Sequence, residues 1–243
     1  MPPTVIALLP ARSGSKRVKN KNTRLLAGHP LLAYSVAAAR RSGLFRSIIV
    51  STDSEETAEI ARRYGAEVPF LRPAGFSGDH SPDIEWIDHL LRDLAARGEG
   101  ADAFSILRPS SPFRLPSTIR RAWAAFTAGE GVDSLRAVER VTQHPGKMWV
   151  IRGARLLPLL PFGPPAQPWH STPTQALPEV YIQNASLEIA WTRVVLEGRT
   201  IAGETIVPFV TEGLEGFDIN NQDDWDLAER LIERGEAALP EIT

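Results

Sequence analysis

The stretch that decides the fold reads Val5-Ile-Ala-Leu-Leu-Pro-Ala-Arg-Ser-Gly-Ser-Lys-Arg-Val-Lys-Asn-Lys-Asn-Thr-Arg24. Its first five residues form a continuous apolar run, which is typical of a strand buried on both faces of a sheet. The loop that follows, residues 10–24, contains no acidic residue and six cations, which are Arg12, Lys16, Arg17, Lys19, Lys21 and Arg24. Because ligands of open α/β sheets bind beyond the carboxyl ends of the strands, this basic loop is predicted to bind a ligand.

The basic loop has the donors that a triphosphate requires. Gly14, with Ser13 and Ser15 beside it, allows backbone N–H groups to turn toward an anion, while Arg supplies a planar fork and Lys a point charge. The chain contains neither G-x-x-x-x-G-K-[ST] nor G-x-G-x-x-G, which argues against P-loop NTPases and dinucleotide-dependent oxidoreductases. A solvated basic turn is the alternative, although surface charges are usually mixed in sign.

The rest of the chain alternates between apolar runs and amphipathic segments. Strands are predicted at residues 47–52, 103–107, 133–138, 180–191 and 205–210. Helices are predicted at residues 31–42, 55–64, 84–94, 117–126 and 223–237. The apolar residues of the last helix are expected to face inward, and they are Trp225, Leu227, Ala228, Leu231 and Ile232. This alternation predicts the α/β class, with a mostly parallel sheet covered by helices on both faces.

A proline-rich segment interrupts the alternation. Prolines at positions 158, 161, 164, 165, 168, 173 and 178 exclude regular structure over most of residues 153–180. We interpret residues of about 139–190 as an excursion from a single main domain that spans residues 1–243.

Composition narrows the class of protein. The chain has 243 residues, of which 43% are hydrophobic and 23% charged, and no apolar run reaches the roughly 18–20 residues of a membrane-spanning helix. The first residues lack the basic and apolar regions of a secretion signal, so we expect a cytoplasmic protein. The absence of cysteine excludes thiolate metal sites. A net charge of −2 and a pI of about 6.2 argue against a nucleic-acid or membrane surface.

Several motifs occur in the order in which one enzyme family carries them. They are Ala11-Arg-Ser-Gly-Ser-Lys16 with Lys21-Asn22, Ser51-Thr-Asp53, Tyr64-Gly-Ala-Glu-Val-Pro-Phe-Leu-Arg-Pro73, Arg108-Pro-Ser-Ser-Pro-Phe-Arg114, His144-Pro-Gly-Lys-Met148, Asn184-Ala-Ser186 and Phe217-Asp-Ile-Asn220. On these motifs the chain resembles, over nearly its whole length, the acylneuraminate cytidylyltransferases, which make CMP-sialic acid and related CMP-nonulosonates. The resemblance implies a three-layer, Rossmann-like nucleotide-binding fold whose small excursion serves dimerisation.

The resemblance also implies a nucleotide site. Arg12, Lys16 and Lys21 would grip the phosphates of CTP and, with Asp218, form the catalytic set that stabilises the leaving pyrophosphate. Arg72 would read the cytosine edge, although on its own it would be interpreted as a surface arginine before a proline turn. The implied nucleotide-binding residues are Arg12, Ser13, Gly14, Ser15, Lys16, Lys21, Asn22, Arg72, Ser81 and Lys147.

The acceptor site shows departures from the family. The implied acceptor-binding residues are Arg108, Ser110, Ser111, Arg136 and Asn184. The family usually has Gln at position 108, an arginine near Thr174 and Tyr at position 188, where this chain has Glu188. We expect Arg108, with Arg136 as a second candidate, to bind the substrate carboxylate, because a planar bidentate fork is its best partner. The alternatives are a turn before a helix for the Ser-Ser-Pro motif and a surface position at a strand end for Arg136.

Asp218 and Asn220 are the implied ligands of Mg²⁺. They are two residues apart in an extended segment, so both side chains are expected on one face. The family has Asp at both positions, and Asn220 therefore removes one negative charge from the metal site. The alternative is structural, with Asn221 capping the last helix and Asp224 at its third position.

These expectations describe a nucleotidyltransferase that uses CTP and Mg²⁺ to join CMP to the 2-hydroxyl of an acidic nine-carbon sugar. The rivals are cytidylyl transfer to a shorter ulosonic acid or a phosphonate, a glycosyltransferase, and a non-catalytic nucleotide-binding protein. In the family the excursion reaches across a two-fold axis to the partner's active site. A homodimer is therefore implied, with candidate contacts at Leu159, Leu160, Phe162 and Trp169.

Overall fold

The computed structural model describes residues 2–242. The strands are β1 (Val5–Pro10), β2 (Leu25–Leu26), β3 (His29–Pro30), β4 (Ile48–Ser51), β5 (Ala103–Ile106), β6 (Ser134–Arg140), β7 (Trp149–Arg152), β8 (Arg155–Pro158), β9 (Tyr181–Trp191) and β10 (Ile206–Val210). The helices are α1 (Leu31–Ser42), α2 (Glu55–Arg63), α3 (Asp83–Ala96), α4 (Pro116–Ala128), α5 (Thr192–Leu196) and α6 (Gln222–Glu233). Each predicted strand and helix is present, with its ends shifted by a few residues.

The main sheet of the described chain has six strands in the order β10-β6-β9-β5-β1-β4. β1 pairs in parallel with β4 on one side and with β5 on the other, and Leu8 is opposite Ile49 on β4 and Ile106 on β5. β9 pairs antiparallel with β5. The prediction of a mostly parallel α/β sheet is confirmed.

Alternate side chains of β1 enter two different cores. Val5, Ala7 and Leu9 pack among apolar residues of α1, α2 and α4. Ile6 and Leu8 pack among those of α3 and α5. Because successive strand residues point to opposite faces, a strand covered on both sides must be apolar throughout. The continuous apolar run in the sequence therefore reflects the middle layer of a three-layer fold.

Helix α6 packs one face against a third core. Trp225 and Ala228 are fully buried there, whereas Leu227, which the sequence analysis places inward, is 40% exposed. That placement is wrong because two residues along a helix correspond to a rotation of about 200°. The predicted cap is confirmed, since Asn221 Oδ1 accepts from Asp224 N at 3.0 Å and Asp224 Oδ2 accepts from Asn221 N at 3.0 Å.

The chain divides into two compact units. One comprises the residues up to Ala137 and from Asn184 onward, and the other is Val138–Gln183, which overlaps the proline-rich segment. In the second unit β7 and β8 form an antiparallel hairpin with Trp149 opposite Pro158. The apolar and proline pattern of the sequence does not predict this hairpin. Its proline is tolerated because it is the last residue of a short strand at an edge.

The second unit exposes many apolar side chains. Ile151 is 76% exposed, and Leu156, Phe162 and Ile182 are each more than half exposed. Phe162 also contacts the Trp169 ring edge-on, with centroids 5.1 Å apart. Among residues 2–242 no helix is both long and apolar enough to cross a membrane.

Candidate active site

A cavity of about 500 Å³ lies beyond the carboxyl ends of β1 and β5. Its lining comes from four stretches that are distant in sequence: the basic loop, the segment from β4 to the first residue of α3, the loop after β5, and the segment before α6. The lining residues are Pro10, Arg12, Ser15, Lys16, Arg17, Lys21, Asn22, Arg72, Phe76, Gly78, Asp79, Ser81, Asp83, Arg108, Pro109, Ser110, Asp218 and Asn220. The parallel strands bring these loops together because their carboxyl ends meet at one edge.

The basic loop is held by hydrogen bonds to Asp53 and by a hydrogen bond within the loop itself. Ser13 donates from its backbone N to Asp53 Oδ1 at 2.6 Å and from its hydroxyl to Asp53 Oδ2 at 2.8 Å. Gly14 has a φ of 71°, a conformation that side chains disfavour. Asn22 Nδ2 donates to the Arg12 carbonyl at 3.2 Å. Ser13 and Gly14 thus shape the loop without lining the cavity.

Two cations of the basic loop share one carboxylate. Arg12 Nη1 donates to Asp79 Oδ1 at 2.8 Å, and Lys16 Nζ donates to Asp79 Oδ2. These two hydrogen bonds lower the pKa of Asp79 to about 2. Lys16 is nevertheless 79% exposed. Both cations remain accessible to an anionic ligand that replaces Asp79.

Lys21 connects the basic loop to the segment before α6. Its Nζ donates to the Ile219 carbonyl at 2.8 Å. Burial lowers the pKa of Lys21, and the charge of Asp218 partly opposes this change. Lys21 therefore lies between the cations of the loop and the carboxylate proposed for the metal.

Arg72 is buried in the wall of the cavity. Its Nε donates to Ser51 Oγ at 2.9 Å and its Nη2 to the Ser51 carbonyl at 3.1 Å. The guanidinium stacks 4.6 Å from the centre of the Trp86 ring. Burial lowers the pKa of Arg72 to about 10, so it stays a cation at neutral pH. Ser81, in the same wall, donates to the Gly75 carbonyl at 3.3 Å.

Asp218 and Asn220 both line the cavity, but their side chains contact each other. Asn220 Nδ2 donates to Asp218 Oδ2 at 2.7 Å, while Asp218 Oδ1 is buried without a hydrogen-bond partner among the described residues. No cluster of three or more His, Asp or Glu within residues 2–242 is arranged to hold a metal. The pair fits Mg²⁺ in the way that ion usually binds, through one or two carboxylates with the remaining ligands from phosphate and water.

The predicted acceptor residues divide into two groups. Arg108 and Ser110 line the cavity, and Arg108 Nη2 donates to Asp83 at 2.5 Å and to Glu188 at 2.9 Å. The other three lie outside the lining. Arg136 is buried and pairs with Glu188, so its alternative position at the surface is wrong.

Ser111 and Asn184 belong to this second group. Ser111 is buried, and its hydroxyl has no partner among the described residues. Asn184 donates to Thr211 Oγ1 at 2.9 Å and accepts from Ser186 N at 3.2 Å. Their contact with an acceptor stays a prediction.

Lys147 lies in the second unit. Its ammonium donates to the carbonyl oxygen of His170 at 3.1 Å and to that of Thr172. Contact of Lys147 with the phosphates of CTP also stays a prediction.

Sequence reasoning missed the two carboxylates of the cavity wall. Asp79 lies in the turn between the stretch that carries Arg72 and helix α3, and Asp83 is the first residue of α3. A signal was available in the basic loop, because six cations without an acidic neighbour imply that balancing carboxylates come from elsewhere in the fold. Nothing local identifies which carboxylates those are.

Comparison with known proteins identifies relatives of this chain. A family model described as Cytidylyltransferase matches residues 6–94. The chain is 35% identical to the CMP-N,N'-diacetyllegionaminic acid synthase of Legionella pneumophila, over 97% of this chain and 99% of that one. It is 39% identical to the N-acylneuraminate cytidylyltransferase of Escherichia coli, over 56% of this chain and 31% of that one.

Solved structures support the fold. The CMP:2-keto-3-deoxy-manno-octonic acid synthetase complexed with CTP superposes with a TM-score of 0.69 at 14% identity, covering 96% of this chain and 99% of that one. The likeness to the Legionella protein extends over nearly all of both chains, so the residues that line the cavity fall within it. On this ground the chain belongs to the acylneuraminate cytidylyltransferase family of nucleotidyltransferases.

Proposed function

We propose that this protein transfers CMP from CTP to the 2-hydroxyl of an acidic nine-carbon sugar and releases pyrophosphate. The observation that carries the proposal is one cavity that collects four of the six cations of the basic loop together with Arg72, Arg108 and Asp218. Its volume of about 500 Å³ falls within the usual range of small-molecule sites.

The phosphates of CTP bind to Arg12, Lys16 and Lys21. The sugar hydroxyl attacks the α-phosphorus, a new P–O bond forms, and the bond to the β-phosphate oxygen breaks in line with it. The hydroxyl proton passes to water. Charge that develops on the departing pyrophosphate is stabilised by the three cations, and no side chain has to act as a nucleophile.

The acceptor binds beside Arg108. This arginine faces the cavity and is held on one side by Asp83, so its remaining donors suit a carboxylate. The full-length relative from Legionella is named for a legionaminic acid, which makes N,N'-diacetyllegionaminic acid the first acceptor to test.

Mg²⁺ is part of the proposal, with Asp218 as its carboxylate ligand and Asn220 beside it. The buried, unpartnered Asp218 Oδ1 supports this assignment. When bound, the ion would neutralise phosphate charge and help to orient the triphosphate. Lys21 holds the backbone of Ile219, between these two residues, and so positions the pair.

The test is pyrophosphate release from CTP and Mg²⁺ with a panel of sialic, legionaminic and pseudaminic acids. The variants Lys16→Ala and Lys19→Ala form a matched pair, because both remove an exposed cation of the basic loop but only Lys16 lines the cavity. We expect Lys16→Ala to lower kcat/KM by about 100-fold and Lys19→Ala to leave it nearly unchanged. If no acid of the panel supports pyrophosphate release, the proposal is contradicted.

Cytidylyl transfer to a shorter ulosonic acid is the second candidate. It is favoured by the pairing of Arg108 with Glu188, two residues that both differ from the usual family pattern. An eight-carbon ulosonic acid in the same panel decides between the candidates by its kcat/KM relative to the nine-carbon acids.

A homodimer in the cytoplasm completes the proposal. The exposed apolar side chains of the second unit, among them Ile151 and Leu156, support an interface there, because monomers rarely expose large apolar patches. The absence of cysteine agrees with a reducing compartment. Light scattering should give twice the monomer mass for the natural chain and the monomer mass for Ile151→Lys.

A further inference from the structure

A series of ion pairs leads from the cavity into the sheet. Arg108 Nη2 donates to Asp83 Oδ2 at 2.5 Å and to Glu188 Oε1 at 2.9 Å. Glu188 Oε2 accepts from Arg136 Nη1, and Arg136 Nη2 donates to the Ile201 carbonyl at 2.7 Å. Arg108 and Asp83 line the cavity, whereas the side chain of Glu188 is only 5% exposed. Arg108 is therefore the cavity-facing end of the series, and Glu188 lies behind it.

Glu188 is held in place independently of Arg108. Its backbone lies opposite Ile106 in the antiparallel pairing of β9 with β5, and its carbonyl accepts from Ser105 Oγ at 3.1 Å. Its Oε2 is bonded to Arg136 on β6, the next strand of the sheet. These contacts leave Oε1 to hold Arg108. The rigid sheet thus determines where the guanidinium of the cavity wall can lie.

Arg108 keeps two nitrogens for a ligand. Its Nη2 makes both ion pairs, while its Nε and Nη1 donate no hydrogen bond to any residue between 2 and 242. Its carbonyl accepts from Ser35 Oγ and from Arg114 Nη1, each at 3.3 Å. Because the guanidinium is planar, fixing Nη2 and the backbone also fixes the direction in which Nε and Nη1 donate.

The charges explain what the arrangement contributes. Asp83, Arg108, Glu188 and Arg136 together carry two positive and two negative charges. Burial alone would lower the pKa of Arg108, but the two carboxylates raise it above its usual value, so Arg108 stays a cation. Because these charges cancel, the four residues orient Arg108 in the cavity wall without adding a net positive charge that would attract an anion.

We infer that Glu188 is a positioning residue for the acceptor, because it holds Arg108 Nη2 and so fixes the direction of the remaining N–H groups of Arg108, one of which donates to the acceptor carboxylate, with Arg136 supporting it. The inference rests on the proposed function, in which Arg108 binds the acceptor. A guanidinium that is already ordered loses less freedom on binding than an unrestrained one. Loss of Glu188 should therefore weaken acceptor binding and spare CTP binding.

The test is a double-mutant cycle with Arg108→Gln, Glu188→Gln and the combined variant. The readouts are the acceptor KM and kcat from pyrophosphate release, and the Kd for CTP from calorimetry. We expect Glu188→Gln to raise the acceptor KM about tenfold, with kcat changed less and the CTP Kd within about twofold. In the Arg108→Gln background the same substitution should change KM by less than about twofold. An equal rise in both backgrounds, or no rise in either, overturns the inference.

Two further variants separate positioning from folding. Glu215→Gln is the matched control, because Glu215 is another mostly buried carboxylate, bonded to Arg121 and Thr118 outside the cavity. It should leave the acceptor KM unchanged. Glu188→Asp keeps a negative charge opposite Arg136, but its shorter side chain cannot hold both guanidiniums. If Glu188→Gln does not fold, Glu188→Asp should show the same rise in the acceptor KM.

The inference and the proposed function fail in different ways. If none of the acid acceptors supports pyrophosphate release by the natural chain, both the inference and the proposed function are contradicted. If the natural chain is active but the double-mutant cycle is additive, the inference is contradicted and the proposed function stands. The same holds if Glu188→Asp leaves the acceptor KM unchanged.

Discussion

Arg12 Nη1 donates a hydrogen bond of 2.8 Å to Asp79 Oδ1, and Lys16 donates to the other oxygen of the same carboxylate. The two cations proposed to bind the triphosphate are thus already paired within the protein. A phosphate group that binds them has to displace Asp79, which lies on an exposed turn of the cavity wall.

The first prediction is that Asp79→Asn tightens CTP binding. The amide keeps the shape of the side chain but cannot compete with phosphate for the two cations, so the CTP Kd should fall about two- to fivefold. The gain should shrink with added salt, because exposed charges are screened. Calorimetric titration with CTP measures both effects.

The pH dependence of this effect follows from the pKa of Asp79. The hydrogen bonds from Lys16 and Arg12 lower that pKa to about 2 from a usual value of 3.8. The pairing is therefore complete above the usual value and is lost only as the pH falls through the lowered one. The difference between Asp79→Asn and the natural chain should be constant across neutral and mildly alkaline pH.

Asp88→Asn is the control, because Asp88 pairs with Arg92 on α3 and does not line the cavity. It should leave the CTP Kd unchanged. Weaker CTP binding by Asp79→Asn would instead make Asp79 a ligand of the nucleotide or of Mg²⁺.

The second prediction concerns the charge of the metal site. Asn220 donates its amide to Asp218, so Asn220→Asp replaces a donor by a carboxylate and adds a negative charge next to the unpartnered oxygen. The Mg²⁺ concentration for half-maximal pyrophosphate release should fall about fivefold. Titration of activity with Mg²⁺ at saturating CTP gives this value.

Asn221→Asp is the matched control for that change. It adds the same charge one residue further along, and Asp is an equally good cap for α6. Asn221 does not line the cavity, so its substitution should barely alter the Mg²⁺ requirement. Equal shifts in the two variants would show a general charge effect and would remove Asn220 from the metal site.

Features with local signals are the ones that the sequence predicts well. The apolar run of β1, the basic loop and the Asn221 cap each depend on neighbouring residues, and the structure contains all three. Partners that meet only in the folded chain are different. Asp79 lies 67 residues from Arg12, and no period or motif connects them.

The acceptor side shows the same distinction. The sequence identifies Arg108 and Glu188 as separate departures from a family pattern, but they are 80 residues apart. Arg108 and Glu188 form an ion pair only because β9 lies beside β5 in the sheet. The inward position expected for Leu227 of α6 is wrong for a related reason, since apolar character alone does not determine which residues of a short helix face the core.

The third prediction concerns stability. Arg114 is almost fully buried and donates to the carbonyls of Ser186 and Arg108 and, at 2.6 Å, to Ser35 Oγ. Arg114→Met removes these donors from a buried position, which should lower the free energy of unfolding by about 2–4 kcal/mol. Urea denaturation measures the loss. Arg120→Met, at an exposed position of α4, should change it by less than about 0.5 kcal/mol, and equal losses would contradict a special role of Arg114.

The fourth prediction is that Arg72→Lys weakens the preference for CTP over UTP. Arg72 Nε and Nη2 are bonded to Ser51, and the guanidinium is stacked on Trp86, so Nη1 is held in one direction and can donate to the base. Cytosine offers N3 and O2 as acceptors, whereas uracil presents an N3–H donor that an arginine N–H cannot pair with. Lysine keeps the charge but has neither the planar fork nor the stack.

The expected change is a fall of about 10- to 100-fold in kcat/KM for CTP with a smaller fall for UTP, measured side by side with one acceptor. Arg24→Lys provides the comparison, because Arg24 also stacks on a tryptophan, 4.1 Å from the centre of the Trp225 ring, but lies outside the cavity lining. It should leave the ratio of the two nucleotides unchanged. If Arg72→Lys lowered kcat/KM equally for CTP and UTP, Arg72 would act through charge alone, and the residue that distinguishes the bases would have to be sought elsewhere in the wall.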